Sequence, residues 1–169
     1  MKLAKNILGL LAPLGVVAAC TAGEASPSTS TYTVKFPSTA AAVATDRVQL
    51  FVFDFRPEDR SSICLDLIQS RKRREPLSPA VTGPDVNICE LLKSVKPITV
   101  PYGEKAVLAV AVRKGVDYML GCTLHTFGDE ETDATRLTIP LALIDLGQSV
   151  PDTPCTSVSD FCNNVCKTN

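Results

Sequence analysis

The sequence predicts a mainly β protein, an antiparallel β-sandwich with one helical excursion between two of its strands. The first observation is a period of two in short segments, as in residues 31–36 (TYTVKF), where apolar and polar side chains alternate as in a half-buried strand. The second is turn chemistry between such segments, at Pro101-Tyr102-Gly103 and at Lys114-Gly115. Short strands joined by tight turns are typical of two packed sheets.

Six strands are predicted along the chain. Residues 47–55 (RVQLFVFDF) carry valine and leucine on one face and Phe51 and Phe53 on the other, which predicts a central strand covered on both sides. In the last strand, residues 135–143, four apolar side chains share one face. The other predicted strands are residues 31–36, 98–100, 106–113 and 116–127.

The segment 56–96 interrupts the strand pattern. Residues 61–70 (SSICLDLIQS) have apolar side chains at helical spacing behind a serine N-cap, and residues 87–94 (NICELLKS) predict a second short helix. The stretch between them is rich in charge, proline and glycine, which predicts a loop. We therefore expect a helical insertion at 56–96, long enough to carry function or to cover a sheet. The alternative is an α+β domain whose helices cover one sheet face.

The first residues of the chain have the pattern of an export signal. Lys2 and Lys5 precede eleven apolar residues at 7–17. A membrane-spanning helix needs about 20 apolar residues, so this segment is too short to be one. Residues 17–20, Val17-Ala18-Ala19-Cys20, resemble the lipobox of bacterial lipoproteins. The alternative is an ordinary signal peptide cleaved after small residues.

The lipobox resemblance implies how the chain is processed and where it resides. Residues 1–19 are expected to be removed, and Cys20 is expected to carry acyl chains, palmitate among them, that hold the protein on a membrane. Thr21 stands where the inner-membrane retention signal of that family has aspartate, which implies the cell outer membrane. Residues 20–31 are small and polar, which predicts a lipid anchor followed by a flexible tether.

Composition restricts the remaining chain, residues 32–169, to one domain of ordinary size with a cysteine-rich tail at 150–169. Residues 1–19 carry two of the 17 basic side chains and none of the 18 acidic ones, so the processed chain has a negative net charge. A nucleic-acid-binding domain would show a basic surplus instead. We therefore predict no nucleic-acid partner.

Residues 98–122 resemble the strand–turn–strand pattern of prealbumin-like (carboxypeptidase-regulatory-like) modules. The matching features are the strand before Pro101-Tyr102-Gly103, the strand AVLAV after it, and the glycines at Gly115 and Gly121. The resemblance implies an immunoglobulin-like or prealbumin-like sandwich of the kind used for display or interaction.

The seven cysteines predict a disulfide framework. An odd number in an exported protein calls for an explanation, and lipidation of Cys20 supplies it. The remaining six lie three in the body and three in the tail, so if all pair within the chain, at least one bridge joins tail to body. These six are Cys64, Cys89, Cys122, Cys155, Cys162 and Cys166. We expect Cys64–Cys89, with Cys64–Cys122 as the alternative.

Metal ligation is the competing interpretation for some of these residues. Cys155, Cys162 and Cys166 with His125 have the composition of a zinc site, but their spacing lacks the close CxxC pairs typical of one. An acidic run, Asp129, Glu130, Glu131 and Asp133, leaves calcium as a further alternative, without the spacing of an EF-hand. We predict no metal and no cofactor.

Candidate catalytic groups are few. His125 is the single histidine, so any Ser-His-Asp or Cys-His site has to use it. It lies on a predicted strand, on the same face as Thr123 and Phe127, which favours a structural role. None of the common nucleotide, metalloprotease or hydrolase motifs is present in the sequence. We therefore predict no catalytic residues and no enzymatic activity.

A basic run, Arg71, Lys72, Arg73 and Arg74, is the predicted contact loop. It offers positive charge to an acidic partner or to lipid headgroups, and a merely solvated loop is the alternative. Together these features predict a noncatalytic, membrane-anchored surface lipoprotein that acts as an interaction or scaffolding module with a protein partner in a cell-envelope complex, for instance in adhesion or motility. The alternative is a ligand-binding or enzyme-inhibiting lipoprotein that uses the 56–96 excursion.

Overall fold

The structure, a computed structural model, describes residues 27–93, 97–128, 137–145 and 147–166. Within them the chain is mainly β and forms two sheets, as predicted. The strands are β1 (Pro27–Lys35), β2 (Arg47–Phe53), β3 (Val81–Asn87), β4 (Pro97–Pro101), β5 (Gly103–Arg113), β6 (Val116–Phe127), β7 (Leu137–Pro140) and β8 (Ala142–Leu143). The helices are α1 (Thr39–Val43), α2 (Ile63–Lys72), α3 (Ile88–Lys93) and α4 (Val158–Cys162).

The smaller sheet has three strands in the order β4-β1-β7. β1 begins at Pro27 and pairs with β4 from Pro27 to Thr31, although residues 20–31 were predicted to be a flexible tether. The small hydroxyl side chains of this segment alternate, so that Ser28 and Ser30 are buried. β1 pairs in parallel with β7, so the expectation of a purely antiparallel fold was wrong for this pair of strands.

The larger sheet has five antiparallel strands in the order β3-β2-β5-β6-β8. β5 and β6 are joined by the predicted turn at Lys114-Gly115. Both turn residues have positive φ, 51° and 77°, which is the conformation of the two-residue hairpin turn that suits twisted strands. The Lys114 backbone N–H donates to a carboxylate oxygen of Asp46 and ties this turn to the start of β2.

Two hydrophobic clusters flank the five-stranded sheet. One contains residues of both sheets, including Tyr32 and Ile139 from the smaller and Leu50 and Val107 from the larger. The other contains Phe53, Leu108 and Leu120 of the larger sheet together with Leu67 of α2. Side chains of β2 face both clusters as predicted, with its valines and leucine in the first and its phenylalanines in the second.

The predicted helical insertion returns to the sheet before it ends. Both of its helices are present as α2 and α3, but the edge strand β3 forms at residues 81–87, where 81–85 were predicted as loop and Asn87 as the start of the second helix. Gly83 and Pro84 obscured this strand because both residues disfavour strand interiors. They lie at a register shift opposite Leu50 on an edge strand, where a missing N–H is tolerated.

Two of the places where the chain crosses from one sheet to the other are tight corners. At the first corner, the predicted turn around Tyr102 joins β4 of the smaller sheet to β5 of the larger. At the second corner, Leu141 separates β7 of the smaller sheet from β8 of the larger. The single strand predicted at 135–143 is therefore divided between the two sheets. At the second corner, a Cβ on Gly121 would lie 2.2 Å from the carbonyl oxygen of Pro140. Glycine is required there because the two backbones are in direct contact.

The tail contains one short helix, α4, which packs against the short helices α1 and α3 of the body. α1, a five-residue helix not predicted from the sequence, is capped by the Ser38 hydroxyl, which accepts from the Ala41 N–H at 3.1 Å. α4 is capped in the same way by Ser157 and packs against α1 and α3. No helix among the described residues is long and apolar enough to span a bilayer.

Candidate functional site

Helix α2 is fixed to the outer face of the larger sheet at two points. Near its start Cys64 is disulfide-bonded to Cys122 of β6, with Cα atoms 5.4 Å apart. At its last turn Arg71 donates two hydrogen bonds to the Asp117 carboxylate, at 2.6 and 3.0 Å, and its guanidinium lies 5.7 Å from the centre of the Phe51 ring. A bidentate ion pair over an aromatic ring fixes the orientation of both side chains.

The structure divides the predicted contact loop, residues 71–74, into structural and exposed cations. Arg71 belongs to α2 and forms an ion pair with Asp117, and its role as a contact residue stays a prediction. Arg73 donates to the Glu75 carboxylate at 2.6 and 3.0 Å. Lys72 and Arg74 are exposed, and neither forms an ion pair with a described residue.

The ion pair with Arg73 lowers the pKa of the Glu75 carboxyl. Hydrogen bonds from Arg73 and then Ser70 lower the pKa of the Glu75 carboxyl to about 2. The same pair raises the pKa of the Arg73 guanidinium. Glu75 is therefore charged throughout the physiological pH range. Arg74, the residue before it, has a left-handed backbone conformation with a φ of 59°.

An open cleft lies between the end of α2 and the β5–β6 hairpin, and we call it the basic cleft. It encloses about 570 Å³ and is lined chiefly by Arg71, Lys72, Arg74, Glu75, Val116, Asp117, Ile144 and Gln148. A second cleft of about 320 Å³ shares Val116, Asp117 and Gln148 with it and adds Arg113 and Lys114. We call the two clefts together the hairpin-end surface.

Positive charge dominates the hairpin-end surface. Its lining has five basic side chains and two acidic ones, and Arg71 neutralises one of the two acids directly. This surplus occurs on a chain whose formal net charge is −1. Val116, 56% exposed, adds an apolar contact at the shared edge of both clefts. The arrangement can attract an anionic ligand and also offers it a hydrophobic contact.

The six cysteines after Cys20 form three intrachain disulfides. Besides Cys64–Cys122, these are Cys89–Cys162 and Cys155–Cys166. The preferred pairing Cys64–Cys89 was wrong and its alternative is present, because α2 packs on β6 while α3 faces the tail helix α4. The predicted bridge between tail and body is Cys89–Cys162. None of the three tail cysteines retains a thiolate for the alternative zinc site.

Other predicted candidates lie away from the hairpin-end surface. His125 is half-buried on β6, and its ring meets that of Phe127 edge-on with centroids 4.7 Å apart. Cys20 and the acidic run at 129–133 lie outside the described residues. Across the described ranges, no three histidine, cysteine, aspartate or glutamate side chains are grouped to hold a metal ion.

Comparison with known proteins adds no family assignment. No protein-family model, curated protein or solved structure matches the chain.

Sequence reasoning missed the part of the hairpin-end surface that lies outside residues 71–74. Arg113, Lys114 and Gln148 are far from residues 71–74 in the chain, and the two groups line adjoining clefts only because α2 packs on β6. A signal was present, because two basic residues flank the predicted turn at Gly115. Nothing in the sequence alone connects that turn with the end of α2.

Proposed function

We propose that the protein is a noncatalytic lipoprotein of the bacterial outer membrane whose disulfide-bonded β domain serves as an interaction module in an envelope complex. The observation that carries this proposal is the cysteine pairing. Three bridges use all six cysteines after the lipobox, so Cys20 is the one cysteine outside these pairs. Disulfides persist in oxidising compartments such as the envelope, and an unpaired cysteine at the cleavage position suits lipidation.

The position at which β1 begins limits the distance between the proposed lipid and the folded domain. With the strand beginning at Pro27, only residues 21–26 separate the proposed lipid from the folded domain. Six extended residues reach about 20 Å, so the domain stays close to its membrane. The two sheets and their shared core support an immunoglobulin-like or prealbumin-like sandwich as the finer description of this fold.

Replacing Cys20 tests the anchor. The full chain is expressed in a bacterial host and labelled metabolically with an alkyne analogue of palmitate. We expect label and membrane fractionation in the wild type and in the matched control Ala22→Ser, and neither in Cys20→Ala. Membrane-bound, labelled Cys20→Ala protein would overturn the proposal. A released wild-type protein with unmodified Cys20 at its N-terminus, seen by mass spectrometry, would establish ordinary signal cleavage instead.

The proposed sorting to the outer membrane has its own test. By the sorting rule of the lipoprotein family, Thr21→Asp should move the protein to the inner-membrane fraction of a sucrose gradient, whereas Thr21→Ser should not. Equal distribution of the two variants would contradict outer-membrane sorting by this rule while leaving the lipid anchor intact.

The basic cleft favours a second candidate function, a lipoprotein that binds a soluble ligand or inhibits an enzyme. It is concave and is formed by the excursion helix α2 together with the sheet, as this alternative requires. A purified protein that binds an anionic small molecule or glycan in this cleft, without a protein partner in cross-linked envelopes, would favour this candidate over the interaction module.

A further inference from the structure

The hairpin-end surface lies far from the point where the chain leaves for its proposed anchor. Pro27 pairs with Pro101, two residues before β5 begins, and the hairpin turn lies at the other end of β5. β5 has 11 residues, which at a strand rise of about 3.3 Å per residue separate the two ends by about 35 Å. The Lys114 turn thus lies at the end of the larger sheet remote from Pro27.

The distance between Pro27 and the hairpin turn bears on which anion meets the hairpin-end surface, a lipid headgroup of the anchoring membrane or an acidic ligand from the opposite side. If Cys20 carries the proposed lipid, the headgroups of the anchoring membrane lie within about 20 Å of Pro27, the reach of the tether. An upright domain presents the hairpin-end surface away from that membrane. The surplus cations are therefore better placed to meet an acidic ligand that approaches from the opposite side.

The backbone positions of the cations that would meet this ligand are fixed before it binds. Lys72 and Arg74 are exposed at the end of α2, whose position is fixed by Cys64–Cys122 and by Arg71–Asp117. Lys114 is fixed by its turn and by its backbone bond to Asp46. Preformed sites lose less conformational entropy when they bind, so this geometry favours recognition over a merely solvated basic loop.

The apolar part of the surface favours one class of ligand. Val116 is 56% exposed between the two clefts, and Ile144 lines the basic cleft beside the cations. A phosphate or a uronic-acid polymer has no apolar side chain to cover them, whereas an acidic peptide segment can combine carboxylates with leucine or phenylalanine. We propose that the hairpin-end surface is a docking site for an acidic, apolar-containing peptide segment of a partner protein.

Peptide binding measures this proposal directly. The probe is a fluorescein-labelled peptide in which glutamate alternates with leucine, titrated by anisotropy against the full processed protein in uncharged detergent. We expect Lys72→Glu and Arg74→Glu each to weaken binding by about tenfold, because each reverses a contact charge. Arg56→Glu is the matched control, since Arg56 is exposed near the opposite end of β2. An equal loss in Arg56→Glu would overturn the proposal as non-specific attraction.

Additional variants and ligands in the same binding assay identify the ligand class. Val116→Ser should weaken peptide binding several-fold, and no effect would overturn the apolar contact. Binding of phosphatidylglycerol vesicles or polygalacturonate with the same Lys72 and Arg74 dependence, but not of the peptide, would overturn the peptide assignment. The remote orientation rests on the proposed anchor at Cys20, whereas the charge pattern does not. Peptide binding retained by Cys20→Ala protein therefore separates a failure of the anchor from a failure of this surface.

Discussion

Among the described glycines, Gly121 is the one that leaves least room for a side chain. Its backbone touches that of Pro140 at the corner where the chain leaves the smaller sheet, and any Cβ there would lie 2.2 Å from a carbonyl oxygen. A backbone neighbour cannot rotate away as a side-chain tip can. The substitution therefore has to move one sheet relative to the other or break the local pairing of β6.

We expect Gly121→Ala to lower the free energy of unfolding by about 1–3 kcal/mol, the usual range for overpacking a filled site. Gly128→Ala is the control, because a Cβ at Gly128 meets no atom within 4 Å and the residue is exposed. Urea unfolding followed by circular dichroism measures both. Equal midpoints for the two variants would contradict the proposed contact.

The titration of Glu75 tests the geometry of the predicted contact loop, residues 71–74. Arg73 holds the pKa of its carboxyl at about 2, below the usual 4.5. Because the folded pKa is lowered, the stabilisation from this pair is complete above about pH 4.5 and is lost as the pH falls toward 2. Both side chains are about half exposed, so solvent screening keeps the effect on stability small.

Carbon-detected NMR titration of the Glu75 carboxyl should give a midpoint near 2 in the wild type. In Arg73→Gln the midpoint should move toward the usual value, since the strongest hydrogen bond is removed. Lys72→Gln serves as the control and should leave the midpoint in place. A normal midpoint in the wild type would show that Arg73 and Glu75 do not pair in solution.

At the scale of elements, α2 depends on its disulfide more than on its own sequence. The helix has 10 residues, which is marginal for an isolated helix in water, where about 12–15 residues are needed. Ser62, predicted as a possible cap, lies at the N-cap position without making a side-chain capping bond. Cys64–Cys122 and Arg71–Asp117 replace that missing local stability with contacts to β6.

We expect Cys64→Ala combined with Cys122→Ala to cost about 2–4 kcal/mol in the free energy of unfolding, because the bridge closes a span of 58 residues. Cys155→Ala with Cys166→Ala should cost less, since that bridge spans 11 residues. Denaturant midpoints of the two pairs provide the comparison. A larger loss in the tail pair would contradict this order.

The elements that the sequence predicted well are those with a clear local pattern. The alternation in β2 gave both of its faces correctly, and helical spacing located α2 and α3. α1 has only five small residues and no apolar stripe, so its helix depends on Ser38 and on packing against α4. β3 was hidden by Gly83 and Pro84, which are tolerated only because β3 is an edge strand.

The candidate site was predictable only in part for a related reason. The run at 71–74 was visible as charge, but which of its members are exposed depends on Asp117 and Glu75. The choice of Cys122 over Cys89 as the partner of Cys64 depends on which surface α2 covers. Such long-range choices are made by tertiary packing and leave no local signature in the chain.

At the scale of the whole molecule, two of the three bridges join regions that are distant in sequence. Cys89–Cys162 holds the tail to α3 over a separation of 73 residues, and Cys155–Cys166 closes the tail upon itself. Cys64–Cys122 alone links the residues before the exposed basic run to those after it. The proposed anchor at Cys20 also lies before that run.

A protease that cleaves after Arg73 or Arg74 would therefore leave one covalent molecule rather than two. We expect trypsin-nicked protein to run as a single band on a denaturing gel and to separate into two fragments only after reduction. Nicked protein that lacks the Cys64–Cys122 bridge should separate without reductant, and separation of the wild type under the same conditions would contradict the pairing. In an envelope that contains proteases, the fragment with the β5–β6 hairpin would stay covalently bound, through Cys64–Cys122, to the fragment that carries the proposed lipid.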